Sequence, residues 1–336
     1  MSLLALHTMS GAPRPLPGDQ LVRLPRVISW LEGQPLAVYW KGLLHLRTLT
    51  GYTFTFSGPG AADATHWYWT SPTVGTRRLT ISIYLSGVIV GRVTTLLRIL
   101  PATGSSGTCR VNLNGDSITA AAGSGDNAYP NKVKSLLAAA GLSVTLHGSQ
   151  TAALADPGVV QEGWPGRTYV WFRTDPASPY AGGGVAYVAT NGGGTPFTDI
   201  ALMLGTNDMS GLGGSELLWP GFADDIASDA EGLLAIVRAG SPLSRVYIST
   251  VYNFSDDVAD WADADTLDAY YRRHKWVTDS IYRRFAGREA EKIELLATHV
   301  ALDPDTHFSS NTVHPNALGH PCIARAVAGA IRSHYA

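Results

Sequence analysis

Cysteine is scarce in this chain. Cys109 and Cys322 are the only two in 336 residues, too few for a disulfide framework or a cysteine-based zinc site, and they read as buried free thiols. Charge is scarce too: charged residues make up 15% of the chain and the net charge is −2. With no basic run interleaved with aromatics, nucleic acid is set aside as a partner. No apolar run approaches the roughly 18 residues of a membrane span, and Met1 to Met9 lacks the basic start and apolar centre of a secretory signal. Neither a span nor a leader is expected, and both the compartment and the oligomeric state stay open. His-Glu-x-x-His is absent. Gly182-Gly183-Gly184 and Gly192-Gly193-Gly194 lack the Lys-Ser/Thr of a phosphate loop and read as flexible surface loops. Asp260, Asp263, Asp265 and Asp268 lack the glycine and closing glutamate of a calcium loop and read as support for a helix N-terminus. No metal and no cofactor is expected.

What is present is ample apolar material, 45% of the chain, enough for one large domain or a large one with a small companion. The pattern changes near residue 105. Before it, short segments rich in β-branched and aromatic residues (37–40, 52–56, 66–69, 79–84 and 88–100) alternate with Gly, Pro, Ser and Asp, which predicts a small antiparallel, Ig-like β-sandwich over residues 1–104. Leu85-Ser86-Gly87 predicts a hairpin turn. His66-Trp67-Tyr68-Trp69 reads as sandwich core with one edge residue in preference to a sugar-stacking platform. Pro101 to Gly107 has linker composition.

From residue 108 to 336 strands and helices alternate. Strands are expected at 109–114, 142–146, 199–204, 245–250 and 293–296, and helices at 129–140, 222–238, 266–285 and 317–333, with a long irregular stretch from 147 to 196. This is an α/β pattern: a mostly parallel sheet covered on both faces, with ligands beyond the carboxyl ends of the strands. The loops after the strands are therefore where chemistry is expected. Four of them carry polar residues of one functional kind. Gly115-Asp116-Ser117 sits where a strand hands over to a helical segment, next to backbone N–H groups that can face a developing negative charge. Gly166, in Glu162-Gly163-Trp164-Pro165-Gly166-Arg167-Thr168, can expose its N–H; Asn207, in Gly205-Thr206-Asn207-Asp208, can donate through its amide; and His314-Pro315-Asn316 precedes the last helix. Each alone fits a surface turn, an Asx-turn or a helix cap. Together they supply a nucleophile, two oxyanion donors and a base. Asp116 reads as a cap that fixes the turn, and Trp164, Trp171 and Trp219 as candidates for lining a cleft or for ordinary packing.

On these residues the chain resembles the SGNH hydrolases, the GDSL-type esterases and lipases, over about residues 108 to 336. The resemblance implies a three-layer α/β/α, flavodoxin-like domain with a five-stranded parallel sheet, and acyl-ester hydrolysis through a covalent serine ester. It implies Ser117 as nucleophile and His314 as base, with the Ser117 N–H, the Gly166 N–H and the Asn207 side chain as the oxyanion hole. The family places an aspartate three residues before the histidine, and here that position is Asn311. Three readings stand open: Asn311 orients His314 through its carbonyl oxygen, a main-chain carbonyl does so, or Asp303 or Asp305 reaches in. Low charge, many aromatics and a β-sandwich companion favour a short acyl group, acetyl above all, on a carbohydrate. The alternatives are a promiscuous short-chain aryl or alkyl esterase or lipase, and a non-catalytic carbohydrate-binding or virion structural protein with a degenerate hydrolase domain.

Overall fold

Two kinds of sheet share the chain, and the computed structural model describes them through residues 22–120, 128–151, 160–308 and 313–335. Among the described residues the N-terminal part forms seven strands: β1 (Val27–Leu31), β2 (Leu36–Tyr39), β3 (Tyr52–Ser57), β4 (Ala61–Ala62), β5 (His66–Trp69), β6 (Gly75–Leu85) and β7 (Val88–Leu100). They make a four-stranded sheet, β1-β7-β6-β3, and a three-stranded one, β2-β5-β4. The period of two along each strand aims Val38 and Trp67 from one sheet, and Leu79, Ile81, Ile83 and Leu97 from the other, into one shared core. Ser86 and Gly87 connect β6 to β7 in a tight hairpin. Two features depart from the sequence reading. The larger sheet is mixed, because β1 runs parallel to β7 with Val27 opposite Leu96, and residues 40–44 turn into a short helix whose Trp40, Leu43 and Leu44 are buried. A parallel pairing between strands so distant in sequence leaves no turn signal to read.

The second part is a parallel sheet. Its strands are β8 (Thr108–Gly115), β9 (Ser143–His147), β10 (Glu162–Gly163), β11 (Asp199–Met203), β12 (Arg245–Ser249) and β13 (Ile293–Leu296). The main order is β9-β8-β11-β12-β13, and the two-residue β10 joins the end of β8 beyond β9. Side chains alternate between two helical layers. Ile200, Leu202, Val246 and Ile248 join helices Tyr169–Thr174, Trp219–Gly240 and Ala264–Phe285 on one face. Val111, Leu113, Ala201, Met203 and Tyr247 join helices Tyr129–Ala139 and Gly319–Arg332 on the other. The stretch expected to be irregular, 147 to 196, contains β10 and the helices Tyr169–Thr174 and Gly183–Asn191. Gly183 and Gly184 thus open a helix instead of lying in a flexible loop, and tertiary burial of Tyr187 and Val188 overrides weak local propensity. Asp263 does cap the long helix, its carboxylate accepting from the Thr266 N–H at 2.7 Å.

The two parts are packed together. Val300 and Ala326 of the α/β part enter the core of the β part, and Arg23 and Lys41 reach across to Asp279 at 2.7 Å and Asp256 at 2.5 Å. The last helix meets β1 backbone to side at Gly329, where an added Cβ would lie 2.3 Å from the Ser29 carbonyl oxygen. Alanine is ordinarily the better helix former by about 1 kcal/mol, yet here the clash should win. Gly329→Ala is expected to lower stability by about 1–3 kcal/mol, read as a fall in the urea midpoint. A midpoint that rises would mean the two parts are not joined at this contact.

Candidate active site

In chain order the parallel sheet reads second, first, third, fourth, fifth, so the direction of winding reverses between β8 and β11. Loops leaving adjacent strands at such a reversal diverge to opposite faces and leave a crevice between them. The pairing is in register, with Gly115 of β8 opposite Met203 of β11. Ser117 follows two residues after the first strand end and Asn207 four residues after the second, which puts both on loops that leave the sheet at this reversal.

Ser117 opens the short helical turn Ser117–Ala120. Asp116 is fully buried and accepts from the Ile118 N–H at 2.9 Å, which fixes the turn as the sequence suggested. The hydroxyl of Ser117 lies 2.7 Å from Nε2 of His314, and both residues are half-buried. Burial pushes the His314 imidazole below its ordinary range, so the neutral base form is the resting one.

The histidine comes from a loop that Asn316 braces from several directions. Its amide donates to the carbonyls of Thr306 at 2.8 Å and Phe308 at 3.0 Å. Its own N–H donates to the His307 carbonyl at 2.8 Å, and its Oδ1 accepts from the Leu318 N–H at 2.8 Å at the entry to the last helix. Asn311 lies outside the described residues. Asp303 accepts from the Asp305 N–H at 3.1 Å and the Thr306 hydroxyl at 2.7 Å, and Asp305 pairs with Lys41 at 3.0 Å.

Gly166 sits in the turn Trp164-Pro165-Gly166-Arg167, which the Arg167 N–H closes onto the Trp164 carbonyl at 3.1 Å. Proline at the second position and glycine at the third, with φ of 75°, is the signature of a type II turn. The turn is tied to the serine strand, because the Trp164 N–H donates to the Gly115 carbonyl at 2.9 Å. It is tied to Asn207 as well, whose amide donates to the Arg167 carbonyl at 3.1 Å. That bond uses one of the two N–H groups of the amide. The structure therefore joins Ser117 to His314 directly, and joins the Gly166 turn both to the strand before Ser117 and to Asn207.

Two anchoring carboxylates went unassigned from the sequence. Asp208 accepts from the Tyr169 N–H at 3.0 Å and holds the segment after Gly166 to the loop after β11. Glu162 is fully buried and accepts from the Ser149 N–H at 2.8 Å, the Tyr187 hydroxyl at 2.6 Å and the Trp164 indole at 2.5 Å. Their sequence signal was a carboxylate flanking each quoted glycine or asparagine. Asn112 and Asn114, buried in β8, find partners in the Tyr187 and Tyr180 hydroxyls at 2.9 and 2.6 Å. Trp164 and Trp171 pack 5.4 Å apart, with the Arg167 guanidinium 4.8 Å over Trp171. Trp219 is buried in the core. Among the described residues no three His, Cys, Asp or Glu side chains are grouped to hold a metal ion, and no helix is long and apolar enough to cross a membrane.

No family model and no curated protein matches the chain. Solved structures with similarity to it include a carbohydrate esterase family 3 protein from Talaromyces cellulolyticus, at 22% identity over 67% of this chain and 97% of that one, TM-score 0.46. A family 3 carbohydrate esterase from Clostridium thermocellum gives 20%, 65%, 92% and 0.46, and Est24, a carbohydrate acetylesterase from Sinorhizobium meliloti, gives 15%, 67%, 99% and 0.46. At these values the functional conclusion rests on the site's own geometry.

Burial raises the carboxyl of Asp208 to about 7, above the roughly 3.9 of an unfolded chain. Its contribution to stability is therefore complete below the unfolded value and is lost as pH rises through the folded one. Relative to wild type, Asp208→Asn should show a smaller fall in urea midpoint between about pH 4 and pH 7. Parallel curves would mean that Asp208 is ionised throughout.

Proposed function

We propose that this chain is a serine ester hydrolase that removes short acyl groups, acetyl above all, from a carbohydrate. The observation that carries the reading is the 2.7 Å contact between the Ser117 hydroxyl and Nε2 of His314, at a sheet edge that also holds Gly166 and Asn207. The preference for a short acyl group on a carbohydrate is supported by the low charge of the chain and its aromatic content.

In this mechanism Nε2 of His314 takes the proton of Ser117 as Oγ bonds to the ester carbonyl carbon. The carbonyl oxygen becomes an oxyanion, held by the Gly166 N–H, the Asn207 amide and the Ser117 N–H. As the carbon–oxygen bond to the alcohol breaks, His314 returns the proton to the leaving oxygen. Water then attacks the serine ester with His314 again as base, releasing the acid and regenerating the hydroxyl. Asp116, Glu162, Asp208 and Asn316 act as positioning residues, holding the turns from which the reacting groups project.

Release of p-nitrophenol from its acetate ester tests the reading. Ser117→Ala should abolish the wild-type rate, and equal rates for the two proteins would overturn the proposal. Because the active form of His314 is neutral and burial lowers its pKa, the acid limb of kcat/KM should inflect below the roughly 6.5 of an ordinary histidine. Asn207→Ala removes one oxyanion donor and should lower kcat by about 10²–10³-fold with little change in substrate binding. Undiminished kcat would take Asn207 out of the site.

A further inference from the structure

Antiparallel pairing of β2 with β5 sets Tyr39 opposite His66 and Ala37 opposite Tyr68. The two-residue strand period puts these four on one face, while Val38 and Trp67 on the other enter the core. The aromatic face does not look straight into solvent. It forms one wall of a cleft of about 290 Å³, whose opposite wall includes His307 and Arg325 of the α/β part and whose rim includes the exposed Thr70. The rings pack against one another: His66 stacks on Tyr39 at 4.8 Å and 18°, Tyr68 flanks His66 at 5.0 Å as the outermost ring of the row, and His307 from the facing wall meets Tyr39 edge-on at 5.7 Å. Close packing normally fills the space between docked elements. Here a volume near the lower end of ligand pockets stays open, with an aromatic wall facing polar side chains.

The chemistry of the walls narrows the occupant. Arg325 is the cationic residue of the cleft, and its guanidinium already donates to the Gln34 side chain at 3.2 Å and the Cys322 sulfur at 3.7 Å. Carboxylate residues stand beside its walls: Asp63 lies 3.1 Å from His66, and the Asp303 N–H donates to Nδ1 of His307 at 2.9 Å. That balance disfavours an anion. An aromatic wall facing donors and acceptors suits a neutral ring with apolar C–H faces and a hydroxylated edge, which describes a pyranose. The cleft also adjoins the loop that carries His314, since the His307 carbonyl accepts from the Asn316 N–H at 2.8 Å.

We propose that the Tyr39–His66–Tyr68 face and the Arg325–His307 wall form a second glycan-binding subsite, which holds a neutral sugar ring of the chain whose ester is presented to Ser117. The link to the ester rests on the function proposed above; the binding itself does not.

The test uses full-length Ser117→Ala protein and calorimetric titration with xylotetraose, cellotetraose and N-acetylchitotetraose. At least one should bind. Tyr68→Ala in the same background should weaken that binding by roughly 3- to 10-fold, in line with the energy of an aromatic stacking contact, while Tyr68→Phe, which keeps the ring, restores it. Hydrogen exchange of the liganded Ser117→Ala protein should slow at residues 66–70 and 319–325, and this readout decides alone if Tyr68→Ala does not fold. Absence of binding by all three sugars, equal affinity in Tyr68→Ala, or protection confined to the Ser117 and Gly166 turns would each overturn the subsite. Failure of the esterase reading would show separately, as equal ester cleavage by wild type and Ser117→Ala, and would leave the binding result standing.

Discussion

The parallel register of β8 against β11 is the constraint on which the rest of the molecule depends. With Gly115 opposite Met203, the two strands end level, and the segments that follow start from neighbouring points before diverging. Ser117 and Asn207 then each need only a short turn to reach the crevice. A slip of one residue would reverse the facing of every side chain on one strand. It would turn Asn112 and Asn114 away from the tyrosine hydroxyls that satisfy them and leave buried amides unpaired. The polar pair inside β8 thus helps specify the register that places Ser117.

Around that crevice the acidic groups serve as braces. Asp116 and Asp208 accept backbone N–H bonds at or just after turns that carry a candidate reacting group, and Glu162 holds the Trp164 indole of the Gly166 turn. Carboxylates accept more strongly than neutral oxygens, so they hold turns firmly, but enclosing them carries a desolvation cost. Burial accordingly raises Asp116 and Asp208 alike to about 7. A neutral or partly neutral carboxyl is also the kinder neighbour for the oxyanion of the proposed reaction, since full charge there would oppose it.

The β part is joined to the α/β part by more than apolar contact. Nδ1 of His45 lies 3.0 Å from Nδ1 of His274, and the ring of His45 stacks on His299 at 5.7 Å. All three imidazoles are buried, and burial pushes each below the ordinary histidine range. Neutral rings can share a proton donor and acceptor at close range, whereas charged ones would repel. Arg23 and Lys275 meet Asp279 beside them. Such a junction gives the two parts one fixed relation, which is what a cleft between them needs to keep its shape.

Much of this was legible in the chain. The alternation of strand and helix after residue 108 and the turn residues at Ser117, Gly166, Asn207 and His314 are local signals, written in periodicity and in the few residue types that particular turns accept. The mixed pairing of β1 with β7, the helices inside 147 to 196 and the bracing by Glu162, Asp208 and Asn316 were not, because each depends on contacts that irregular loops or distant segments make only once folded. The same holds for His66 and Tyr68, whose alternation marked a strand face but not what that face would meet. Sequence by itself determined the main strands and helices after residue 108 and which side chains are chemically candidates for acyl transfer, since backbone sterics and side-chain chemistry are properties of single residues and near neighbours. Only the tertiary structure decided that a serine and a histidine 197 positions apart lie 2.7 Å from one another, because that proximity is set by strand order and register, which no local pattern encodes.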